Sequence, residues 1–118
     1  MVTIGKKDTV LPRIYDDAPA VRGVEKRVLI GPKQGAPRFV MRHFALAARG
    51  YSPEHTHPWE HELYILSGKG RVRFSDGAAE VGAGDFVFVP PLDRHQFLNT
   101  GDEAFEFLCV VPISGDDG

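Results

Sequence analysis

The stretch GYSPEHTHPWEHELYILSG, residues 50–68, carries three of the five histidines of this chain. Successive side chains of an extended strand point to opposite faces, so His55 and His57 share one face. They can therefore present two imidazoles to a single ion. This pair alone is weak evidence for a metal site, and the neighbouring residues have to supply the rest of the argument.

The third ligand would come from the strand that follows the turn Pro58-Trp59-Glu60. Either His61 or Glu62 could be the first residue of that strand to face the ion. The two are adjacent and point to opposite faces, so only one of them can be a ligand. Imidazole and carboxylate ligands lead to different chemistry, and the local pattern leaves the choice open. A further histidine, His95, lies within GDFVFVPPLDRHQFLN, residues 84–99.

Glycines and prolines divide the chain into short apolar segments separated by turn residues, a pattern typical of many strands. The segments predicted as strands are Lys26–Ile30, Arg38–Ala48, Glu54–His57, Glu62–Leu66, Gly70–Phe74, Ala78–Val81, Asp85–Val89, His95–Asn99 and Phe105–Val111. No crossover helix is predicted, so the strands should be antiparallel. A closed or double-sheet barrel would remove the exposed edges of such short strands, which predicts an all-β barrel.

Length and composition limit the possible functions. A chain of 118 residues allows one domain, and its 42% hydrophobic and 25% charged residues are ordinary for a globular protein. The net charge is −2 with dispersed basic residues, which excludes the basic surface expected of a nucleic-acid-binding protein. The sequence has no apolar run long enough for a membrane span and no apolar core of a signal peptide, so we expect a cytoplasmic protein without a membrane partner.

Cysteine usage limits the metal ligands. Cys109 is the only cysteine, so an intramolecular disulfide and a thiolate-rich zinc site are both excluded. Its apolar neighbours offer nothing that would lower the pKa of a thiol, and we expect a small core or pocket residue. Any metal must then depend on histidine, carboxylate or water.

Both histidine-bearing stretches resemble the two conserved motifs of the cupin family. Residues 50–68 resemble the first motif, G-x5-H-x-H-x3/4-E-x6-G, with one residue fewer before the first histidine. The second motif, G-x5-P-x-G-x2-H-x3-N, is matched by Gly84, Pro90, His95 and Asn99, with Leu92 in place of the inner glycine. The resemblance implies a cupin double-stranded β-helix, or jelly-roll, barrel of antiparallel strands.

The same resemblance favours His61 as the third ligand. Six residues separate the motif's glutamate from its final glycine, and six separate His61 from Gly68, whereas five follow Glu62. Most of the chain, from about Val21 to Pro112, is similar to a small group of manganese-binding cupins with four histidine ligands. The resemblance thus implies one divalent ion per chain, held by His55, His57, His61 and His95.

A four-histidine site would have consequences for chemistry. Neutral imidazoles leave the charge of the ion uncompensated, which favours anionic ligands and acidifies bound water. A metal that prefers six ligands would keep two open positions.

The resemblance implies manganese, whereas ligand type alone also allows iron, nickel, copper, cobalt or zinc. We predict an oxygen-dependent oxidoreductase, resembling dioxygenases, for a small apolar or aryl substrate. The alternatives are a lyase or isomerase that uses the ion as a Lewis acid, and a non-catalytic cupin that binds a small ligand.

Strand alternation also indicates candidate pocket residues. Phe97 lies two residues beyond His95 and should face the same interior, as should Phe107 on the last strand. Both could instead be plain barrel filling. Arg42 shares a strand face with apolar residues, so its guanidinium could point into the barrel and orient an anion. His43 lies in mid-strand without an evident metal partner, and we expect a structural or interface role.

The sequence predicts three regions. Residues 1–24 show no sustained period and should form an N-terminal arm over the barrel or over a neighbouring subunit. Residues 25–113 should form the cupin barrel, and residues 114–118, which are polar and glycine-rich, should form a flexible tail. We also predict a homodimer that forms through the N-terminal strands.

Overall fold

A computed structural model describes residues 1–116 of the chain. In this range nine strands form one antiparallel sheet that curls into a jelly-roll barrel, so the all-β prediction is confirmed. The strands are β1 (Arg13–Asp17), β2 (Val21–Ile30), β3 (Phe39–Tyr51), β4 (His61–Ser67), β5 (Lys69–Phe74), β6 (Gly77–Gly82), β7 (Phe86–Val89), β8 (His95–Asn99) and β9 (Phe105–Pro112). Short 3-10 turns occur at Lys7–Thr9, Pro32–Gln34 and Ile113–Gly115.

The curled sheet brings together the starts of two strands that are not neighbours in it. Neighbouring strands run β6-β5-β8-β3-β9-β4-β7, while β1 pairs with β2 and β2 with β3. The first residues of β4 and β8 are His61 and His95. β4 and β8 are separated by β3 and β9 in this order, and the curl of the sheet brings His61 and His95 together, with ring centroids 4.8 Å apart.

One of the predicted strands is wrong. Residues 54–57 do not form a strand, and only an isolated bridge joins His55 to His95. Proline lacks a backbone N–H and fixes its own backbone angle, so Pro53 and Pro58 on either side prevent a longer hydrogen-bonded ladder. The remaining predicted strands are present with shifted ends.

The N-terminal region contains regular structure that composition did not predict. β1 pairs with β2 through Tyr15 and Val24, and β2 in turn pairs with β3. The predicted boundary at residue 24 lies within β2, which continues to Ile30. The predicted homodimer remains a prediction.

Apolar side chains fill the barrel in alternating positions. In β9 every second residue is buried, including Phe105 and Phe107, which are fully enclosed. Gly70 of β5 makes room for this packing, because a Cβ atom there would lie 2.4 Å from the ring of Phe105. Leu46 and Ile65 complete the centre of the core.

The chain after β9 returns to the barrel at residues 114–116, which are the first part of the predicted flexible tail. A 3-10 turn at Ile113–Gly115 leads to Asp116, whose carboxylate forms ion pairs with buried cations. Polar composition predicted a solvated end, but these long-range ion pairs hold Asp116 against the barrel. Residues 117 and 118 of the predicted tail lie outside the described residues. No helix in the described range is long and apolar enough to cross a membrane.

Candidate metal centre

Three imidazoles converge at the end of the barrel where β4 and β8 begin. One nitrogen each from His57, His61 and His95 lies within 4.8 Å of the other two. The centroids of the His61 and His95 rings are 4.8 Å apart, and the His57 ring lies 5.3 Å and 5.5 Å from them. Nitrogens this close to one another can reach a common ion.

Backbone hydrogen bonds hold the loop that carries His57 against β8. The amide of His55 donates to the carbonyl of His95 at 2.9 Å, and the amide of His95 donates back at the same distance. The carbonyl of His57 also accepts a 2.7 Å hydrogen bond from the amide of Leu92. These backbone hydrogen bonds therefore hold His57 close to His95 at the start of β8.

Leu92 has an unusual backbone conformation at this contact. Its φ angle is +71°, in the left-handed region that favours glycine, and its side chain is 70% exposed. This is the position at which the sequence has leucine where the second motif has glycine. The turn thus keeps the conformation that glycine would adopt, without burying the leucine.

The strand register separates the two candidates for the third ligand. His61 is 6% exposed and faces the interior, whereas Glu62 is exposed on the outer face, opposite Phe88 of β7. The carboxylate of Glu62 therefore points away from the three imidazoles. Alternation along β4 causes this, since adjacent side chains cannot share a face.

His55 lies beside the group of three, at its solvent side. Its Nδ1 is 3.1 Å from Nε2 of His57, and the two rings meet edge to face with centroids 4.7 Å apart. The side chain is exposed and lies outside the convergent set of nitrogens. His57, His61 and His95 therefore form the core of the candidate site, and His55 is its neighbour.

Hydrogen bonds fix the orientation of two of the rings. Nδ1 of His95 lies 2.9 Å from the carbonyl oxygen of Asp93, to which it can donate, and this leaves Nε2 with a free lone pair. Nδ1 of His61 lies 3.4 Å from Sγ of Cys109 and can donate to it in the same way. Both rings then present Nε2 as the ligand atom.

The nitrogens of the site suit a cation. Nε2 of His61 is buried and has no hydrogen-bond partner among the described residues. A buried polar atom without a partner is costly, and a divalent ion would supply one. Burial, followed by the neighbouring imidazoles and Arg42, lowers the pKa of His61 to about 3; burial and neighbouring histidines lower the pKa of His57 to about 4. Both imidazoles are thus neutral at pH 7, the form that binds metal.

A cavity of about 320 Å³ lies directly against the three histidines. Phe44, Phe97 and Phe107 form an aromatic wall, with Phe107 5.3 Å from each of the other two ring centroids. Trp59 stacks on His57 at 4.6 Å with an interplanar angle of 11°. The cavity is therefore predominantly apolar next to the candidate metal ligands, which is typical of sites for small molecules.

Arg42 lines the same cavity, on the inward-facing side of β3. Its side chain is buried, its guanidinium lies 5.0 Å from the centroid of Phe44, and Nη2 donates to Sγ of Cys109 at 3.0 Å. Burial raises the pKa of the Cys109 thiol. Cys109 is therefore a protonated residue of the cavity wall that links Arg42 to His61.

A model of the cupin domain family matches residues 42–111, which is more than half of the chain. The chain is a cupin. Both motif-bearing stretches, residues 50–68 and 84–99, lie within the match. Within the match the sequence departs from the motifs at Leu92, in the spacing before His55 and in having His61 where the first motif has glutamate.

Several known proteins are similar to this cupin. The structure of the polyketide cyclase RemF from Streptomyces resistomycificus matches 96% of this chain and 80% of that chain, with a TM-score of 0.88 and 32% identity. A 1-methylthio-D-xylulose 5-phosphate methylsulfurylase of Rhodospirillum rubrum is 33% identical over 64% of this chain and 49% of that protein. A glucose-6-phosphate isomerase of Thermococcus kodakarensis is 39% identical over 49% of this chain and 34% of that protein. The cupin thus spans about half or less of these two curated relatives.

Two charged residues of the cavity were not found from the sequence. Lys26 is 4% exposed and lies in the cavity wall, and Asp116 joins it there from the other end of the chain. The position of Lys26 between Val24 and Val28 was a signal, because alternation places all three on one face. No local pattern indicated Asp116, since only the tertiary fold brings it to the barrel.

His43 lies on the other face of β3, away from the cavity. Its Nε2 is 3.1 Å from a carboxylate oxygen of Glu106, whose second oxygen accepts a hydrogen bond from Ser67. Burial lowers the pKa of His43, and the neighbouring Glu106 opposes that effect. His43 is therefore buried in contact with Glu106, and the structural or interface role expected from the sequence stays a prediction.

Proposed function

We propose that this cupin is a metal-dependent enzyme that binds one divalent ion through His57, His61 and His95, with His55 as the fourth ligand. The observation that carries the proposal is the buried Nε2 of His61, which has no hydrogen-bond partner within residues 1–116 and lies among other imidazoles at the wall of an apolar cavity. Four neutral donors would leave open positions on the ion. Manganese is the metal we propose, because the chain resembles manganese-binding cupins.

For the reaction, we propose carbonyl chemistry without net oxidation, in the lyase and isomerase class. A bound divalent ion would supply Lewis-acid polarisation of a substrate oxygen. Support comes from the relatives, because cyclisation and isomerisation, which name two of them, are not redox reactions. The relatives differ in substrate, so they support the class of chemistry and not a particular compound.

The residues of the chain would bind and orient the substrate. Phe44, Phe97 and Phe107 provide an apolar wall, which suits an aryl or apolar group and excludes water. Arg42 would hold an anionic oxygen, because its guanidinium is buried in the same cavity. Trp59 would fix the orientation of His57 through their stacked rings.

Oxygen-dependent oxidation is the second candidate. The aromatic, largely apolar cavity beside a site with open coordination positions also suits an apolar or aryl substrate of a dioxygenase. A non-catalytic role would require the same cavity to bind a ligand without forming a product. The three functions therefore predict different results in one set of assays.

The test is turnover of carbonyl-bearing aryl and apolar compounds by the manganese-loaded protein, with and without oxygen. Equal turnover under anaerobic conditions, lost after chelation and restored by the metal, supports the Lewis-acid function. Turnover that stops when oxygen is removed supports a dioxygenase and refutes the first proposal. Saturable binding without a product in either condition would refute both enzymes.

A further inference from the structure

Two buried cations converge on one carboxylate in the cavity wall. Nζ of Lys26 lies 2.9 Å from Oδ1 of Asp116, and Nη1 of Arg42 lies 3.4 Å from the same oxygen. The side chains are 4%, 8% and 7% exposed for Lys26, Arg42 and Asp116. Charges buried this deeply are costly unless they are paired, so a carboxylate is what makes this arrangement of cations stable.

The cations and the carboxylate are held in different ways. Lys26 and Arg42 belong to β2 and β3, which pair along most of their length, so the sheet fixes the backbone from which both cations extend. Asp116 follows the short turn Ile113–Gly115 outside the sheet, and its amide donates a long hydrogen bond of 3.3 Å to Ile113. Lys26 and Arg42 therefore extend from the regular sheet, whereas the carboxylate of Asp116 is held by a short turn.

The ion pairs are adjacent to the candidate metal ligands. Nη2 of Arg42 lies 3.5 Å from Nδ1 of His61 and 3.0 Å from Sγ of Cys109, while Nη1 faces Asp116. In addition, Nε of Arg42 is buried without a hydrogen-bond partner among residues 1–116. One guanidinium thus spans the distance from the carboxylate to a histidine of the metal site.

We propose that Lys26 and Arg42 form an anion subsite for a substrate carboxylate, and that Asp116 occupies this subsite in the absence of substrate. An incoming carboxylate would replace that of Asp116 and keep both cations paired. With the aromatic wall of the same cavity, this defines the substrate class as an aryl or apolar carboxylic acid whose reacting oxygen lies near the histidines. This inference rests on the proposed function only in treating the cavity as the substrate site.

The chain provides its own reporter for the test. Trp59 is the only tryptophan, its ring is stacked on His57, and a Cβ atom added to Gly115 would lie 2.7 Å from it. Displacement of the turn that carries Asp116 would therefore change the tryptophan fluorescence. Benzoate, titrated into the chelator-treated, metal-free protein at constant ionic strength, is the probe. Benzamide, which has nearly the same shape but no charge, is the matched ligand control.

We expect saturable binding of benzoate and about tenfold weaker binding of benzamide, because a hydrogen bond to a charged group is lost. Asp116→Asn should bind benzoate about tenfold more tightly, since it removes the competing carboxylate, and Lys26→Met should bind it about tenfold more weakly. Asp102→Asn, which removes a carboxylate from an exposed turn, should bind like the wild type. Calorimetry of the same titrations checks the affinities independently of fluorescence.

Three results would overturn the inference. Equal or weaker benzoate binding by folded Asp116→Asn would mean that Asp116 is a fixed structural partner and not an exchangeable occupant. Equal affinity for benzoate and benzamide would mean that the cations do not bind ligands. Tighter binding of phenyl phosphate than of benzoate would refute the carboxylate assignment. Because the titration contains no metal, each of these results leaves the proposed metal-dependent function to its own assays.

Discussion

Replacing His61 by alanine tests the metal centre most directly. Nε2 of His61 is buried and unpaired among the described residues, and a bound ion would supply its partner. Four-ligand structural zinc sites bind with about 10–16 kcal/mol, so one ligand accounts for about 3 kcal/mol, or about a hundredfold in the dissociation constant. We therefore expect His61→Ala to bind manganese or zinc about a hundredfold more weakly than the wild type.

Thermal unfolding provides a second measure of the same loss. At a metal concentration one thousand times the wild-type dissociation constant, binding stabilises the wild type by about 4 kcal/mol. At that concentration a hundredfold weaker variant gains only about 1.4 kcal/mol. The increase in melting temperature on addition of metal should thus be about three times larger for the wild type. Without metal, His61→Ala loses packing contacts of the imidazole ring but also removes a buried nitrogen that lacked a partner, so the second effect offsets part of the lost stability.

Glu62→Ala is the matched control for this prediction. Glu62 is adjacent to His61 but exposed on the outer face, so its removal should leave metal affinity unchanged. Elemental analysis and competition with a chelating dye would measure both variants. Loss of metal in Glu62→Ala together with retention in His61→Ala would refute the assignment of the site and the electrostatic argument built on neutral ligands.

Further predictions concern stability. Leu92→Gly should raise the free energy of unfolding by about 1 kcal/mol, because leucine is strained at a φ of +71°; denaturant unfolding that shows no gain would contradict this. Gly70→Ala should lower it by about 1–3 kcal/mol, since the new methyl group meets the buried ring of Phe105; wild-type stability would show that the core yields freely. Metal-free protein should lose stability as the pH falls below about 6.5. In the unfolded chain His57 and His61 take up protons near that pH, whereas in the folded protein their lowered pKa values keep them neutral, so acid favours the unfolded state. This loss, measured in urea with chelator, should be smaller in His61→Gln, and an equal loss would exclude His61 as a cause.

Much of the fold followed from local rules. Turn residues and apolar segments predicted every strand from β2 to β9, because each strand satisfies the simple alternation of inward and outward side chains. The same rule placed Arg42, Phe97 and Phe107 inside the barrel, where they line the cavity. The strand predicted at residues 54–57 is absent because a hydrogen-bonded ladder also needs backbone amides that can donate, and the flanking prolines have none.

The sequence predicted some parts of the candidate site and not others. Motif spacing chose His61 over Glu62, and the strand register gives the physical reason, since only one of two adjacent residues can face inward. Spacing also grouped His55 with His57, but the structure leaves His55 at the exposed side of the three convergent rings. Its role as fourth ligand remains a proposal.

The sequence by itself determined the antiparallel barrel and the shared face of His55 and His57, because both depend on patterns within short segments. The family, and with it the place of His95 beside them, came from the resemblance to the cupin motifs. Only the tertiary structure decided that Lys26, Arg42 and Asp116 meet in one cavity. Lys26 and Asp116 are 90 positions apart in the chain, and one of them lies in a stretch whose polar composition predicts solvation. Long-range pairing of buried charges depends on the packing of the whole barrel, so no local sequence pattern predicts it.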